Sequence, residues 1–294
     1  MFLNMFKTLK FIIKHPLNKD NKIKSIINFF RWQLGSRILK KPVIVNFVNQ
    51  SRLIVKKSMT GATGNIYTGL HEFEDMSFVL HLLRKDEVML DIGANIGSYT
   101  ILAGAVIGAK IFSFEPIPDT FRCLIDNVNI NGIYEKVKCY NIGLADKNGI
   151  LKFTSNLGTN NHVVFNTSSI KNIDIIDVPV RKLDTIVSGC DPLLIKIDVE
   201  GFELQVLKGA DEILKSKSLL AVIIETFGKN NLDKQMSKYG FKPFTYNPFN
   251  REISPFDSKK VASNNTIYIF IKNIEKVNER IKSATKFLIN DKEI

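Results

Sequence analysis

Residues 88–97 read VMLDIGANIG, and this stretch decides the fold of the chain. A short apolar run is followed by a loop that contains Gly93 and Gly97. The next residues, Ser98 to Val106, are mostly small and apolar and predict a helix. A buried strand that ends in glycines and leads into a helix is typical of α/β domains that bind ligands at the ends of their strands.

The same alternation of strand and helix continues to residue 272. Short apolar runs predict six further strands, at residues 110–114, 137–144, 193–198, 219–225, 242–247 and 266–272. Helical patterns lie between them, at residues 119–129, 202–214 and 232–239. Strands that alternate with helices form a mostly parallel sheet with helices on both faces. We therefore expect a Rossmann-like α/β fold with a doubly wound, seven-stranded, mostly parallel sheet.

The first fifth of the chain carries its net charge of +12. Residues 1–57 hold 13 Lys and Arg against one acid, and the remainder balances. A hairpin is predicted around residues 49–51. Before it, the spacing of apolar residues predicts a helix with one apolar face, formed by Ile23, Ile26, Ile27, Phe30 and Leu34. We expect this basic α/β extension to pack against the core or a sister subunit. Contact with an anionic membrane is the second hypothesis, and an acidic partner or a solvated helix is the third.

Composition excludes several other classes of protein. No apolar run reaches the roughly 20 residues that span a bilayer. Lysines interrupt residues 1–14, which therefore do not resemble a signal peptide. Cys123, Cys139 and Cys190 have no metal-type spacing and are expected to be reduced. The expected location is the cytoplasm, with membrane-peripheral contact through the basic extension as the alternative, and we expect no nucleic-acid partner.

The loop after the first strand favours S-adenosylmethionine over a nicotinamide dinucleotide. In the dinucleotide spacing G-x-G-x-x-G, the second glycine lets the backbone approach a pyrophosphate. That position is Asn95 here, and the next glycine follows after two residues. S-adenosylmethionine has no phosphate, so the loop need only accept an amino-acid end and a ribose.

Acidic residues follow two other predicted strands. Glu115 ends the second strand, where a carboxylate can accept both hydroxyls of a ribose. Asp198 and Glu200 follow the fourth strand, and either could orient a hydroxyl, act as general base or bind a metal. The alternative for Glu200 and Glu203 is a place in the first turn of a helix, where acids are favoured.

Five motifs occur in a fixed order: Asp91-x-Gly93-Ala94-Asn95-x-Gly97, Phe114-Glu115-Pro116, Asn141-x-x-Leu144-x-Asp146, Leu183-Asp184 and Lys196-Ile197-Asp198-Val199-Glu200-Gly201-x-Glu203. Over roughly residues 67–225 the chain resembles the FkbM family of methyltransferases. The resemblance implies a class I methyltransferase fold and S-adenosyl-L-methionine as cofactor. It also implies O-methylation of a hydroxyl on a sugar, glycan or secondary-metabolite acceptor.

The resemblance further implies a set of cofactor contacts: Asp91, Gly93, Asn95, Gly97 and Glu115, with Glu72 near the methionine end and Asp146 near the adenine. We divide the chain into the basic extension (residues 1–66), the methyltransferase domain (residues 67–274) and a polar tail (residues 275–294) that we expect to be helical.

The catalytic candidates are Asp198, Glu200 and His162, which lies in a polar loop at residues 156–171. No metal site is expected. Three other hypotheses remain open: a non-catalytic scaffold of the same fold, a nicotinamide oxidoreductase, and a methyltransferase that acts on protein or nucleic acid. An oligomer is compatible with the sequence, which does not identify the acceptor.

Overall fold

The computed structural model describes residues 2–57, 59–158, 161–164, 173–227, 231–257 and 265–294. Its helices are α1 (Phe2–Lys14), α2 (Lys22–Leu39), α3 (Thr60–Thr68), α4 (Phe73–Leu82), α5 (Ser98–Ile101, continued by a π-helical turn at Leu102–Ile107), α6 (Pro118–Ile130), α7 (Leu183–Ile186), α8 (Glu203–Lys208), α9 (Asp211–Lys215), α10 (Leu232–Ser237) and α11 (Ile274–Lys282). A 3-10 turn at Pro16–Asn18 joins α1 to α2.

The strands are β1 (Val43–Asn46), β2 (Arg52–Val55), β3 (Val88–Ile92), β4 (Lys110–Phe114), β5 (Val137–Tyr140), β6 (Gly143–Leu144), β7 (Gly149–Thr154), β8 (Ile175–Arg181), β9 (Leu194–Ile197), β10 (Ala221–Phe227), β11 (Lys242–Asn247), β12 (Glu252–Pro255), β13 (Asn265–Ile271), β14 (Leu288–Ile289) and β15 (Lys292–Glu293).

The main sheet runs in the order β12-β11-β13-β10-β9-β3-β4-β5. The pairs from β10 to β5 are parallel, and β13 is antiparallel to both of its neighbours. The chain leaves β3 toward β4 and β5 and later returns to β9 on the other side of β3. Such a reversal opens a crevice at the carboxyl ends of the strands. The predicted Rossmann-like α/β fold is therefore confirmed.

The described part of this sheet has eight strands where the sequence predicted seven. The additional strand, β12, folds back on β11 and pairs with it in antiparallel register. Arg251, in the intervening turn, adopts a positive φ of 55°. The pattern of β12 is too short and too polar to be recognised as a strand, because only one of its four residues is half-buried.

Two apolar cores cover the faces of the main sheet. Met89 belongs to one core and Leu90 to the other, as expected for successive residues of a strand. The same division separates Leu194 from Ile195. This burial on both faces explains why the parallel strands have nearly continuous apolar sequences. A smaller sheet, β6-β8-β7, lies beside the crevice with a third cluster around Phe153.

The N-terminal residues form α1, α2 and the antiparallel hairpin β1–β2. Helix α2 packs against the core through Phe29 and Trp32, which are buried. The apolar face marked by the helical spacing is a different one, because Ile23, Ile27 and Leu34 are each at least 50% exposed. Helical spacing identifies an apolar face and does not show which of two faces is covered. Within the described residues, no helix is both long enough and apolar enough to cross a membrane.

Candidate active site

In the loop after β3, position 93 has no space for a side chain and therefore requires glycine. Gly93 has a φ of 74°, and a Cβ built there would lie 1.8 Å from the carbonyl oxygen of Asp198. The ends of β3 and β9 therefore approach as closely as two backbones can. Gly97 has a different role, since a Cβ there would lie 2.6 Å from a methyl carbon of Leu124 on α6. It allows helix packing at this position.

Asn95 occupies the position that distinguishes this loop from a dinucleotide loop. Its φ is 54°, a left-handed conformation that asparagine adopts more readily than most residues. Its side-chain oxygen accepts a hydrogen bond from the N–H of Ile96 at 2.8 Å. Its own N–H donates to Oε2 of Glu115 at 2.9 Å, so the loop and the end of β4 are joined.

Glu115 is held between two backbone donors at the end of β4. Oε2 accepts from Asn95, and Oε1 accepts from the N–H of Ile117 at 2.9 Å. The residue is 6% exposed, and burial raises the pKa of its carboxyl group to about 7, although the two N–H groups oppose that shift. Each carboxylate oxygen can accept a second hydrogen bond. The group is thus positioned to receive two hydroxyl donors.

A cleft lies at the carboxyl ends of β3, β4 and β9, and we call it the glycine-loop cleft. Its walls include Gly93, Asn95, Glu115, Ile117, Leu144, Asp198, Glu200 and Phe202. The apolar side chains offer a surface to a flat ring, and Glu115 offers acceptors to a ribose. This combination fits the adenosine part of S-adenosylmethionine.

Asp91 lies beneath the loop, fully buried at the end of β3. Its Oδ2 accepts a hydrogen bond from Thr100 at 2.6 Å, whereas Oδ1 has no partner within the described residues. Burial raises the pKa of this carboxyl group, and the Lys196 ammonium opposes the shift. An orphaned buried oxygen beside the loop fits a cationic donor such as the α-ammonium group of the methionine end.

Lys196 lies opposite Asp91 in the register of β3 and β9. It is 5% exposed, and its Nζ donates to Asp198 at 3.0 Å. Burial acts to lower the pKa of Lys196, but the carboxylates of Asp198 and Asp91 outweigh that effect and raise it. Lys196 is therefore a buried charge that holds Asp198 in place. The sequence analysis missed this role, because it depends on the pairing of two strands distant in the chain.

Glu200 and Asp198 both line the glycine-loop cleft. Glu200 adopts a φ of 51°, a strained conformation for this residue type. Burial, followed by repulsion from Asp198 and Glu203, raises the pKa of Glu200 to about 7. Glu203 begins α8 and accepts from the N–H of Gly201 at 2.7 Å, as expected for an acid in a first helical turn.

A second pocket is lined by residues of α1, the start of α4, β10 and β13, and we call it the lysine pocket. It has a volume of about 620 Å³, and its lining includes Lys7, Lys10, Lys14, His15, Glu72 and Glu225. Glu72 accepts a hydrogen bond from the hydroxyl of Tyr99 at 2.6 Å, and Lys196 lies over the Tyr99 ring. Tyr99 thus stands between the second pocket and the carboxylates of the first. Neither Tyr99 nor Glu225 was recognised from the sequence.

Asp146 and His162, two of the site residues predicted from the sequence, lie at the periphery of the glycine-loop cleft. Asp146 is half-buried after β6 and is not among the described lining of the glycine-loop cleft. His162 is also half-buried, and its backbone N–H donates a hydrogen bond to the hydroxyl oxygen of Thr154. Its neighbours Asn161 and Val163 line the cleft. Other parts of the polar loop, residues 159–160 and 165–171, lie outside the described residues.

The chain matches a known family of methyltransferases and is similar to several named relatives. The model of the Methyltransferase FkbM domain matches residues 91–243. The hexuronic acid methyltransferase AglP of Haloferax volcanii is 31% identical over 158 residues, which are 52% of this chain and 62% of AglP. Methyltransferase sdnD of Sordaria araneosa is 26% identical over 196 residues, which are 56% of this chain and 75% of sdnD.

A third relative, Methyltransferase 1 of Beauveria bassiana, is 27% identical over 162 residues, which are 48% of this chain and 65% of that protein. The chain thus spans about three-fifths of the length of AglP. The resemblance stated from the motifs is confirmed, because the family model covers more than half of the 294 residues. The chain belongs to the FkbM family of methyltransferases.

Proposed function

We propose that the protein transfers a methyl group from S-adenosylmethionine to a hydroxyl of a sugar or glycan. The observation that carries the proposal is the pair of pockets on either side of Tyr99. The glycine-loop cleft offers acceptors for a ribose at Glu115, and the lysine pocket opens beside Glu72 and Glu225. Family membership supports the reaction, and the name of AglP supports a sugar as acceptor.

The cofactor supplies a methyl group made electrophilic by its positively charged sulfur. Glu115 would accept hydrogen bonds from the two ribose hydroxyls, while Ile117 and Leu144 would cover the adenine ring. Asp91 Oδ1 would stabilise the ammonium group of the methionine end, whereas Glu72 lines the lysine pocket. Positioning of both reactants accounts for most of the expected rate enhancement in this kind of transfer.

Glu200 is the best candidate for the base that receives the proton of the acceptor hydroxyl. The carboxylate of Asp198 is already engaged in an ion pair with Lys196. Glu200 has a pKa of about 7, and a general base works best with a pKa near the operating pH. The proton would move to a carboxylate oxygen of Glu200, and Asp198 would orient the hydroxyl. His162 remains a second candidate that a variant can test.

The cofactor assignment is tested by calorimetric titration with S-adenosylhomocysteine. We expect binding by the wild type and roughly tenfold to hundredfold weaker binding by Glu115→Gln, because two charge-assisted hydrogen bonds become weaker. Asp119→Asn, a nearby and exposed carboxylate change on α6, is the matched control and should bind normally.

Absence of binding by the folded wild type would overturn the proposal. Binding without transfer to any sugar, protein or RNA acceptor would favour the scaffold hypothesis.

We also propose that α2 lies on an anionic membrane surface. Five large apolar side chains form one stripe opposite the buried face of the helix, each 50–76% exposed: Ile23, Ile27, Phe30, Leu34 and Ile38. Basic side chains accompany the stripe, including Arg31 and Arg37. An apolar stripe with basic flanks matches the chemistry of a bilayer with anionic headgroups.

Vesicle co-sedimentation tests this contact. We expect the protein to pellet with phosphatidylglycerol-containing vesicles, to pellet less with pure phosphatidylcholine, and to lose most binding in Ile27→Ser/Leu34→Ser. The control, Ile150→Ser/Leu288→Ser, removes two apolar side chains elsewhere that are at least as exposed, and it should bind as the wild type does. Loss of a dimer in the first variant, with no vesicle binding by the wild type, would instead assign the stripe to a second copy of the chain.

A further inference from the structure

The lysine pocket has a basic wall that belongs to one helix. Lys7, Lys10 and Lys14 follow one another at helical spacing on α1, so their side chains project toward the same side. All three are exposed, and all three line the pocket. Within the described part of the chain, none of them forms an ion pair or a hydrogen bond. A row of unpaired ammonium groups at the mouth of a pocket attracts anions.

Carboxyl groups and an aromatic ring also line the lysine pocket. The carboxyl groups belong to Glu72, Glu74, Asp75 and Glu225, and the ring belongs to Phe73. Asp75 is buried, and burial followed by repulsion from Glu72 raises its pKa well above the ordinary value. This shift favours the neutral form of the Asp75 carboxyl group. Carboxyl groups and a ring face are the partners that a sugar uses for its hydroxyls and its C–H face.

A buried histidine completes the lining beside this row of lysines. His15 lines the lysine pocket and is 4% exposed. Its Nδ1 accepts from the N–H of Leu17 at 3.3 Å, and the carbonyls of Leu70 and His71 stabilise the ring N–H. His15 is therefore a fixed, structural part of the pocket lining.

We propose that the lysine pocket is the acceptor site and that Lys7, Lys10 and Lys14 select acceptors that carry an anionic group, a carboxylate or a phosphate, on the sugar. This inference rests on the proposed function and adds the substrate class to it. The anionic group faces the lysines of α1, and the sugar hydroxyls face Glu72 and Glu225. The hydroxyl to be methylated is thereby directed toward Tyr99 and the glycine-loop cleft.

The test uses the full chain saturated with S-adenosylhomocysteine and three probes: D-glucuronate, inorganic phosphate and D-glucose. Binding is measured by NMR titration at constant ionic strength for the wild type and for Lys7→Gln/Lys10→Gln/Lys14→Gln. The control, Lys147→Gln/Lys208→Gln/Lys242→Gln, removes the same charge from exposed sites away from the pocket. We expect the wild type to prefer glucuronate or phosphate over glucose. The α1 variant should bind the preferred anion roughly tenfold more weakly, since each exposed charge contributes a small increment.

The outcomes separate this inference from the proposed function. A wild type that binds S-adenosylhomocysteine but shows no preference for anions, or an α1 variant that retains the preference, overturns the inference alone. Failure of S-adenosylhomocysteine binding overturns the proposed function first. A preference for glucuronate identifies a carboxylate-bearing sugar, whereas a preference for phosphate identifies a phosphorylated one. Equal loss of anion binding in both triple variants would show general electrostatic attraction and would also contradict the assignment.

Discussion

At the scale of single residues, the site combines groups whose charge states depend on burial. Glu115 and Glu200 both have a pKa near 7, for the same principal reason, but they occupy different surroundings. Glu115 accepts hydrogen bonds from two backbone N–H groups, whereas Glu200 is repelled by the carboxylates of Asp198 and Glu203. Removal of the charge from each should therefore affect different steps, cofactor binding for Glu115 and proton transfer for Glu200.

The pH dependence of cofactor binding follows from Glu115. Ribose hydroxyls donate hydrogen bonds and so favour the ionised carboxylate. Because the pKa is about 7 in the free protein, the group is mostly protonated at pH 6 and mostly ionised at pH 8. We expect the affinity for S-adenosylhomocysteine to increase several-fold between these values, and to be nearly independent of pH in Glu115→Gln.

Glu200→Gln provides the necessary comparison, since Glu200 titrates in the same range. Calorimetry at five pH values would show an unchanged pH profile of binding in this variant, accompanied by a large loss of methyl transfer. A flat profile in Glu200→Gln with a normal profile in Glu115→Gln would reverse the two roles. His162→Gln, measured beside them, would show whether the loop histidine contributes to transfer.

At the scale of elements, the sequence identified the strands that are buried on both faces but missed β8 and β12, whose residues are largely exposed or half-buried. The continuous apolar runs of β3 and β9 identify buried strands without ambiguity. In β8 several residues are exposed or half-buried, and its apolar residues did not stand out from the polar loop before it. The strand forms through its pairing with β7, a contact that local patterns do not contain.

The site shows the same distinction. Glu115 and Asp198 were recognised because each directly follows an apolar strand. Lys196 required knowledge that β9 lies beside β3, and Tyr99 required the contact between α5 and the residue before α4. The lysine pocket required the position of α1, which no motif specifies. Local sequence therefore predicts which strand ends carry chemistry, and tertiary contacts determine how those ends and the N-terminal helix form two adjoining pockets.

At the scale of the whole molecule, the N-terminal and C-terminal residues of the chain are in direct contact. Asn18 donates hydrogen bonds to the carbonyls of Ile12 and Tyr67, which fixes the end of α1 to α3. Lys292 pairs with Asp20 at 2.9 Å, so the β14–β15 hairpin contacts the connection between α1 and α2. The last residues contain a hairpin after α11, where the sequence indicated a helical tail. The position of the lysine row consequently depends on residues more than 250 positions away in the sequence.

The contact between the C-terminal hairpin and the N-terminal residues leads to a prediction about the stability of the fold, in which Leu288 serves as the control for Ile289. Ile289 is 5% exposed and lies against Gly69, whereas Leu288 is 68% exposed. Ile289→Ala should lower the free energy of unfolding by about 2–5 kcal/mol, because it removes a buried side chain and leaves a cavity. Leu288→Ala should change it by less than about 0.5 kcal/mol. Urea denaturation, followed by limited proteolysis under native conditions, would measure the loss and show whether residues 1–57 become more accessible. Equal effects of the two substitutions, or unchanged proteolysis of the N-terminal residues in Ile289→Ala, would mean that α1 keeps its position without the hairpin.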